Sequence, residues 1–408
     1  MDLDRFSAAT RRLRPNVIRQ MIKLTHGRNL ISFAGGLPSP ESFPMAEISS
    51  VVCSLLDAKQ HSALQYGPTQ GSPELLEQLR IYMHSRGVRQ AETENLLVTS
   101  GSQQALDLIG RLLLDPGDAV IVELPSYVGA INAFRNLGAE LVGVEQDREG
   151  IVPEALETVL AGLQRQNRRA AFLYTVPNFN NPSGVLLSSE RRAALLEIAR
   201  QFNLWIVEDD AYGEIYFSDC DEQQVRPLRA REGGENVIYT GTFSKTLAPG
   251  LRLGWVCARP DVISRLELTK QGADLFTSSF TQRIAAELMA QGTFGQRLPL
   301  LRAQYERKRD AMTAALDAEM TGVARWNHPR GGFFVWLEVD PALDTLALME
   351  SAIDAGIAYI PGQPFRVDDG GSNTIRLAFS TESEATIQEG IRKLSRFLRS
   401  ATRVQSPV

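Results

Sequence analysis

Residues 240–254 read TGTFSKTLAPGLRLG, directly after an apolar run that predicts a strand. The segment places Lys245 among small hydroxyl residues, and Arg252 follows further along the loop. A lysine in a tight, partly buried turn can have a lowered pKa and can form a Schiff base with a carbonyl compound. The hydroxyls of Thr242 and Ser244, together with Arg252, are groups that bind phosphate. A solvated lysine in a polar loop fits the same residues, so this segment alone leaves both interpretations open.

A second segment, residues 98–106 with the sequence VTSGSQQAL, leaves a predicted strand and enters a predicted helix at Ser102. The first turn of a helix offers unpaired N–H groups and the positive end of the helix dipole to an anion. Ser102 and Gln103 are therefore candidate phosphate ligands. A plain serine cap is the simpler alternative, and it is the more common one for such a segment taken by itself.

A third segment, residues 204–212 with the sequence LWIVEDDAY, ends an apolar strand in acidic residues. In open α/β sheets, ligands bind at the carboxyl ends of the strands. A carboxylate at that position can pair with a protonated ring nitrogen of a cofactor. A helix cap or a surface turn would use the same acidic residues.

Outward from these segments, short apolar runs alternate with helical patterns. The runs lie at residues 96–99, 119–122, 141–144, 171–175, 204–207, 237–240 and 254–258. After Gly101 the apolar residues fall at helical spacing, and residues 189–202 form a second amphipathic pattern. This alternation predicts an α/β fold with a mostly parallel sheet covered on both faces.

The pattern changes towards the carboxyl terminus. Long helical stretches at about 261–318 are followed by a strand-like GGFFVWLEV, a helix near 342–355, a strand at 374–379 and a last helix near 383–400. This mixed order predicts a smaller α+β domain, to which an N-terminal arm contributes. The predicted division is an arm at 1–44, a large domain at 45–290 and a small domain at 291–408.

Composition and charge exclude several classes of protein. The chain has 408 residues and a net charge of −5, which argues against nucleic acid as its main partner. Its three cysteines lie far apart, so we expect no disulfide framework, and the cytoplasm is the expected compartment. The amino terminus has charges where a signal peptide needs an apolar stretch, and no apolar run reaches the ~18 residues of a membrane span. We therefore expect no membrane partner.

Several catalytic motifs are absent from the sequence. It contains no G-x-G-x-x-G fingerprint, no Walker sequence, no G-x-S-x-G elbow and no H-E-x-x-H pair. Its four histidines are isolated, so we expect no metal site. These observations disfavour a nicotinamide enzyme, a nucleotide hydrolase, a serine hydrolase and a zinc protease.

The three segments, together with PNFNNPSG at residues 177–184, resemble in their order and spacing the class I/II aminotransferases of fold type I, which depend on pyridoxal 5′-phosphate (PLP). The resemblance runs from about Ile31 to Phe379. The segments ISFAGGLPSPESFP at 31–44 and GGFFVWLEV at 331–339 are most similar to the 2-aminoadipate, kynurenine and aromatic aminotransferase branch. The resemblance implies PLP as cofactor, a PLP-dependent transferase large domain with a smaller α+β domain, and a homodimer.

The resemblance also implies a role for each residue that matches a family motif. The catalytic set is the Schiff-base lysine Lys245, the acid Asp209 that keeps the pyridine nitrogen protonated, and Tyr212 at the ring oxygen. The cofactor-binding set adds Asn181 at the ring oxygen, the stacking Tyr127, and the phosphate ligands Ser102, Gln103, Thr242, Ser244 and Arg252. It also adds Tyr66, which resembles a tyrosine that reaches the phosphate of the neighbouring subunit. The substrate-binding set is Arg376, Asn181 and Gly36 at the α-carboxylate, and, by a looser match, Arg19 at the side chain.

The expected activity is transfer of an amino group from an aromatic, 2-aminoadipate-like or related L-amino acid to a 2-oxo acid, with 2-oxoglutarate as the expected acceptor. One alternative is a PLP-dependent lyase that performs β-elimination, because a fold does not fix a reaction. The other is a non-catalytic PLP-binding effector domain of a transcription regulator. Only about 30 residues precede the GGLP segment, which is short for a DNA-binding module.

Overall fold

The computed structural model describes residues 5–13, 27–58 and 61–405. Arg19, one of the predicted substrate-binding residues, lies outside these ranges. Within them, no helix combines the length and the apolar character that crossing a membrane requires.

The strands of the described residues form a large central sheet and two smaller sheets. In chain order they are β1 (Ile31–Ser32), β2 (Leu96–Thr99), β3 (Ala119–Leu124), β4 (Glu140–Asp147), β5 (Gly150–Ile151), β6 (Ala170–Thr175), β7 (Trp205–Asp210), β8 (Val237–Thr242), β9 (Gly254–Cys257), β10 (Ala324–Trp326), β11 (Phe334–Val339), β12 (Ile357–Ala358), β13 (Ile360–Pro361) and β14 (Thr374–Ala378). The central sheet has the order β2-β9-β8-β7-β6-β3-β4-β5. Its strands β4, β3, β6, β7 and β8 are parallel, whereas β9 runs antiparallel between β2 and β8. The predicted mostly parallel α/β sheet is confirmed.

Helices cover both faces of the central sheet. In the described ranges the α-helices are Ala8–Arg12, Met45–Asp57, Pro73–Ser85, Ser102–Leu113, Val128–Asn136, Pro153–Arg165, Ser189–Gln201, Pro260–Gln271, Ser279–Ala290, Thr293–Glu319, Met349–Asp354 and Glu384–Gln405. Helix Ser102–Leu113 buries Ala105, Leu108 and Ile109 against the sheet, as their spacing predicts. The strands β3 and β8 are buried at every position, which explains why each of them begins in the sequence as an apolar run.

The carboxyl-terminal part forms a second layer of sheet and helix. Strands β10, β11, β14 and β13 make an antiparallel sheet. The short strand β1 pairs in parallel with β12, so a segment near the amino terminus packs with elements more than 300 residues away in the chain. The buried Phe33 extends this contact, because its N–H donates to the carbonyl of Ala358. The domain boundaries at 44 and 290 stay a prediction.

Two predicted helices have different bounds in the structure. The helix predicted near 342–355 spans only Met349–Asp354. The Asp344 side chain accepts hydrogen bonds from the N–H groups of Leu346 and Ala347 and holds that stretch in a turn, which competes with a helix. The last helix, predicted near 383–400, spans Glu384–Gln405.

Candidate active site

A cavity of about 290 Å³ lies at the carboxyl ends of the central strands. It brings together residues from the central sheet, from the antiparallel sheet of β10, β11, β14 and β13, and from the segment that follows β1. Its lining includes nearly all of the residues predicted from the sequence: Gly36, Ser102, Gln103, Tyr127, Asn181, Asp209, Tyr212, Thr242, Ser244, Lys245, Arg252 and Arg376. The sequence interpretation did not include Gly35, Leu37, Val176, Ala211, Pro249 or Phe334, which also line it.

Lys245 lies in the connection between β8 and β9. The turn is fixed locally, because the Thr242 hydroxyl accepts a hydrogen bond from the Ser244 N–H at 3.1 Å and Phe243 is buried beneath it. The Lys245 ammonium donates to the carbonyl oxygen of Gly36 at 3.3 Å. Burial, and after it the positive charge of Arg376, lowers the pKa of Lys245 to about 8. A substantial fraction of this amine is therefore neutral near pH 8, as a nucleophile or a base must be.

Asp209 is the penultimate residue of β7, and its side chain is buried. The Tyr174 hydroxyl donates to one of its carboxylate oxygens at 2.8 Å, and Thr240 Oγ1 lies 3.4 Å from the other. Burial raises the pKa of Asp209 to about 6, while the hydrogen bond from Tyr174 opposes that rise. A buried carboxylate of this kind gains most from a cation placed against it.

Sequence reasoning did not identify Tyr174 as a site residue. It is fully buried on β6, next to β7, and its register partner there is Val207. The available signal was a single hydroxyl-bearing aromatic residue near the end of an otherwise apolar strand, one position before Thr175. That signal does not show which acidic residue the hydroxyl meets, because the answer depends on the alignment of two strands.

The phosphate-binding residues surround the first turn of helix Ser102–Leu113. Gly101, with φ at 87°, takes the cap position, and no side chain caps the turn. The plain serine cap considered from the sequence is therefore not what the structure has. Thr242 Oγ1 lies 2.9 Å from Ser244 Oγ, and Arg252 donates to the carbonyl oxygen of Ser100 at 3.2 Å. These groups and the helix start suit a phosphate dianion.

Arg376 projects from β14 and is buried, with its guanidinium over the ring of Phe334 at 4.4 Å. Nη1 donates to Asn181 Oδ1 at 2.9 Å, and Nη2 donates to the carbonyl oxygens of Ala34 and Gly35 at 2.8 and 2.9 Å. Its Nε is buried and has no hydrogen-bond partner among the described residues. Burial lowers the pKa of Arg376 to about 10. A guanidinium in this position can bind a planar carboxylate.

The remaining predicted residues have different surroundings. Tyr127 lines the cavity just before helix Val128–Asn136, and Gln103 donates to the carbonyl oxygen of Gly129 at 3.0 Å. Tyr66 is not among the cavity residues of this chain. Its side chain is 76% exposed, and its ring packs edge-on against Phe276 at 5.4 Å.

The residues present fit PLP. The phosphate would lie at the open helix start, between Thr242, Ser244 and Arg252, where a Cβ at Gly101 would come within 2.6 Å of Arg252 Nη2. The buried carboxylate of Asp209 suits a protonated ring nitrogen, and the Lys245 amine suits the aldehyde. In the described part of the chain, no three His, Cys, Asp or Glu side chains are grouped so that they could hold a metal ion.

Comparisons with known proteins agree with this geometry. Residues 28–394 match the family model for aminotransferase class I and II. The chain is 39% identical to aromatic-amino-acid aminotransferase 1 of Thermococcus litoralis, over 97% of this chain and 94% of that protein. It is 41% identical to 2-aminoadipate transaminase of Thermus thermophilus, over 97% and 96%. A crystal structure of kynurenine aminotransferase from Pyrococcus horikoshii, in complex with PMP, superposes with a TM-score of 0.93 at 38% identity and covers 98% of both chains.

The sequence, the fold and the cavity thus lead to one family and one cofactor. The predicted PLP-dependent transaminase of fold type I is confirmed, and the lyase and effector-domain alternatives are not favoured. The chain belongs to the class I and II aminotransferases and uses pyridoxal 5′-phosphate.

Proposed function

We propose that the chain moves an amino group from an aromatic or 2-aminoadipate-like L-amino acid to 2-oxoglutarate. The main support is one observation: the Lys245 amine, the Asp209 carboxylate and the Arg376 guanidinium line the same cavity. The names of the relatives support this donor class. The apolar side chains of Leu37 and Phe334, which line the cavity with Arg376, suit a donor with a large side chain.

In this proposal, Arg376 binds the α-carboxylate of both substrates and thereby fixes which bond at Cα faces the cofactor. Asn181 and the carbonyls of the GGLP segment hold the guanidinium in place. An arginine supplies the planar pair of donors that a lysine cannot supply. A substrate that keeps its carboxylate in this position is not set up for decarboxylation.

When bound, PLP accepts electron density from the substrate Cα. Asp209 would hold the ring nitrogen of bound PLP protonated, and the Tyr174 hydroxyl fixes this carboxylate through its hydrogen bond. With PLP bound, the neutral Lys245 amine would take the proton from the substrate Cα and would return it to the cofactor C4′ carbon, which carries the transferred nitrogen. The hydrogen bond between the Lys245 amine and the carbonyl oxygen of Gly36 keeps the amine within the cavity.

A panel of amino donors with 2-oxoglutarate and pyruvate as acceptors tests the proposal. We expect the highest kcat/KM for aromatic or 2-aminoadipate-like donors with 2-oxoglutarate. Lys245→Ala should reduce turnover by about 10³-fold or more, since proton transfer by a positioned side chain contributes on that scale. Lys393→Ala, at a half-buried position of the last helix outside the cavity, is the control. Release of ammonia and a 2-oxo acid without an acceptor would support the β-elimination alternative instead.

We also propose that the chain works as a homodimer in the cytoplasm. The side chains of Leu64 and Tyr66 are exposed on one loop, and Leu275 is exposed next to Phe276, against which the Tyr66 ring packs. A second subunit would cover this apolar surface. The three free cysteines are consistent with a reducing compartment.

A further inference from the structure

Three asparagines in the loop that follows β6 have different partners. Asn178 donates to Asp210 Oδ1 at 2.8 Å, and Asn180 donates to the carboxylate of Glu123. Asn181 accepts from Arg376 at 2.9 Å and lines the cavity. Two of the three amides therefore fix the loop to the sheet, and the third faces the guanidinium that we assign to the substrate carboxylate.

Glu123 lies on β3 and is 2% exposed. Its carboxylate accepts three hydrogen bonds, from the Thr175 hydroxyl at 2.8 Å, from the Val176 N–H at 3.0 Å and from the Asn180 amide. All three donors are neutral groups on β6 or on the loop that follows it. Burial raises the pKa of Glu123 to about 7, the hydrogen bonds oppose that rise, and the charge of Asp209 adds to it.

The backbone between these contacts leaves little freedom. Phe179, between Asn178 and Asn180, has a φ of 53° and is fully buried. Gly331 lies so close that a Cβ there would overlap the Phe179 ring. The position of Asn180 consequently determines where the next residue, Asn181, can place its side chain.

We propose that Glu123 is a positioning residue for the substrate carboxylate: by holding Asn180 and the Val176 amide, it places Asn181 to orient Arg376. This inference rests on the proposed function of Arg376. Glu123 does not line the cavity, and it acts on the substrate only through the loop.

Two substitutions separate the roles of Glu123. In Glu123→Gln, the amide oxygen can accept from Val176 and Asn180, while the amide NH₂ can donate to the Thr175 hydroxyl, which is also an acceptor. All three contacts can therefore persist. Glu123→Met has a similar length but no acceptor, so the N–H of Val176 and the amide of Asn180 lose their partner.

Glu208 offers a matched control. It is also a buried carboxylate on the central sheet, and burial raises its pKa to about 7 as well. It accepts from the N–H groups of Leu228 and Arg229, and neither of these residues lines the cavity. Glu208→Met should lower the melting temperature without changing substrate binding.

The test is calorimetric binding of 3-phenylpropanoate, a carboxylate without an amino group, to each PLP-loaded variant. We expect Glu123→Met to raise the Kd for 3-phenylpropanoate about tenfold, a typical loss of affinity for one misplaced hydrogen bond. The Kd should stay close to the wild-type value in Glu123→Gln and Glu208→Met. In turnover, Glu123→Met should raise KM for the amino donor far more than it lowers kcat. If Glu123→Met does not fold, Asn180→Ala removes the same contact from the other partner.

The outcomes are distinguishable. If Glu123→Met binds 3-phenylpropanoate with wild-type affinity, the positioning role of Glu123 is overturned. An equal loss of affinity in Glu208→Met overturns it as well. An Arg376→Ala variant that binds 3-phenylpropanoate as tightly as wild type overturns the proposed function of Arg376 itself. If Arg376→Ala loses affinity for 3-phenylpropanoate and Glu123→Met does not, only the proposed role of Glu123 is rejected.

Discussion

At the scale of single residues, burial moves two pKa values in opposite directions within one cavity. It lowers the pKa of Lys245 to about 8 and raises the pKa of Asp209 to about 6. Both shifts favour the neutral side chain, because the low-polarity surroundings penalise charge of either sign. A protonated ring nitrogen beside Asp209 would reverse its shift, whereas the lysine must remain partly neutral to react.

The lowered pKa of Lys245 can be measured in the PLP-free chain. Only a neutral amine reacts with acetic anhydride, so the acetylation rate should rise with pH and level off above about 8. Mass spectrometry of the Lys245 peptide would follow the reaction, with Lys393, whose side chain is 39% exposed, as the reference within the same sample. A rate that still rises steadily above pH 10 would show that burial does not lower this pKa.

The Tyr174 hydroxyl should contribute to catalysis through Asp209. Tyr174→Phe removes one hydrogen bond to a buried carboxylate, so kcat/KM should fall about tenfold, since such bonds contribute ~1.5–3 kcal/mol. Asp209→Asn should reduce kcat/KM considerably more, because it removes the charge itself. Steady-state kinetics of both variants decide this. If Asp209→Asn stayed within about tenfold of wild type, a change of only ~1.4 kcal/mol, the assigned role of Asp209 would be wrong.

At the scale of elements, the phosphate site depends on how one helix begins. Gly101 has φ at 87° and lies directly against Arg252, so the first turn of the helix and the arginine side chain are in close contact. A side chain at this position is disfavoured twice, by the backbone conformation and by the contact. The open first turn of the helix thus depends on a residue that makes no side-chain contact of its own.

We expect Gly101→Ala to weaken PLP binding about tenfold or more, because its Cβ would displace Arg252. Gly117→Ala is the matched control. Gly117 also has a positive φ, at 98°, but no atom lies within 4 Å of the added Cβ. It should lower the melting temperature and leave the Kd for PLP unchanged. Equal Kd values for the two variants would mean that the contact with Arg252 is unimportant.

The sequence predicted those elements whose burial leaves a strong pattern. The strands β3, β7 and β8 are buried on both faces, which produces apolar runs, and the helix at Ser102 has a clear apolar stripe. It did not predict that β9 runs antiparallel between β2 and β8, since apolar runs carry no direction. The contact of Tyr174 with Asp209 was missed for a related reason. The sequence of one strand does not determine its register with the neighbouring strand, and this register decides which side chains meet.

At the scale of the whole molecule, most of the predicted site residues lie together, although they are distant in the sequence. The resemblance to family motifs predicted these residues, but only the structure shows their contacts. Arg376 and Asn181, for example, form a hydrogen bond although they are 195 positions apart in the sequence. Among the predicted residues that the structure describes, Tyr66 is the exception. It lies on the exposed loop before helix Pro73–Ser85, whose start is capped by Ser72 with proline at the first position, a common combination at helix starts.

The proposed dimer with shared sites can be tested by complementation. Tyr66→Ala and Lys245→Ala, each strongly impaired alone, would give mixed dimers with one site that carries both lesions and one that carries neither. Co-expressed with different tags and purified as mixed dimers, the pair should recover about half of the wild-type activity per dimer. If mixed dimers form and remain inactive, Tyr66 acts within its own subunit.

The pairing of β1 with β12 has a consequence for synthesis on the ribosome. Ile31 emerges early, but its partner Ile357 is made more than 300 residues later. At about 5–20 residues per second, the apolar segment around Phe33 waits roughly half a minute without its native neighbours. During that interval it is a stretch that a chaperone can bind or that another nascent chain can pair with. Slower translation would lengthen this exposure, so the yield of folded enzyme should depend on elongation rate even where its final stability does not.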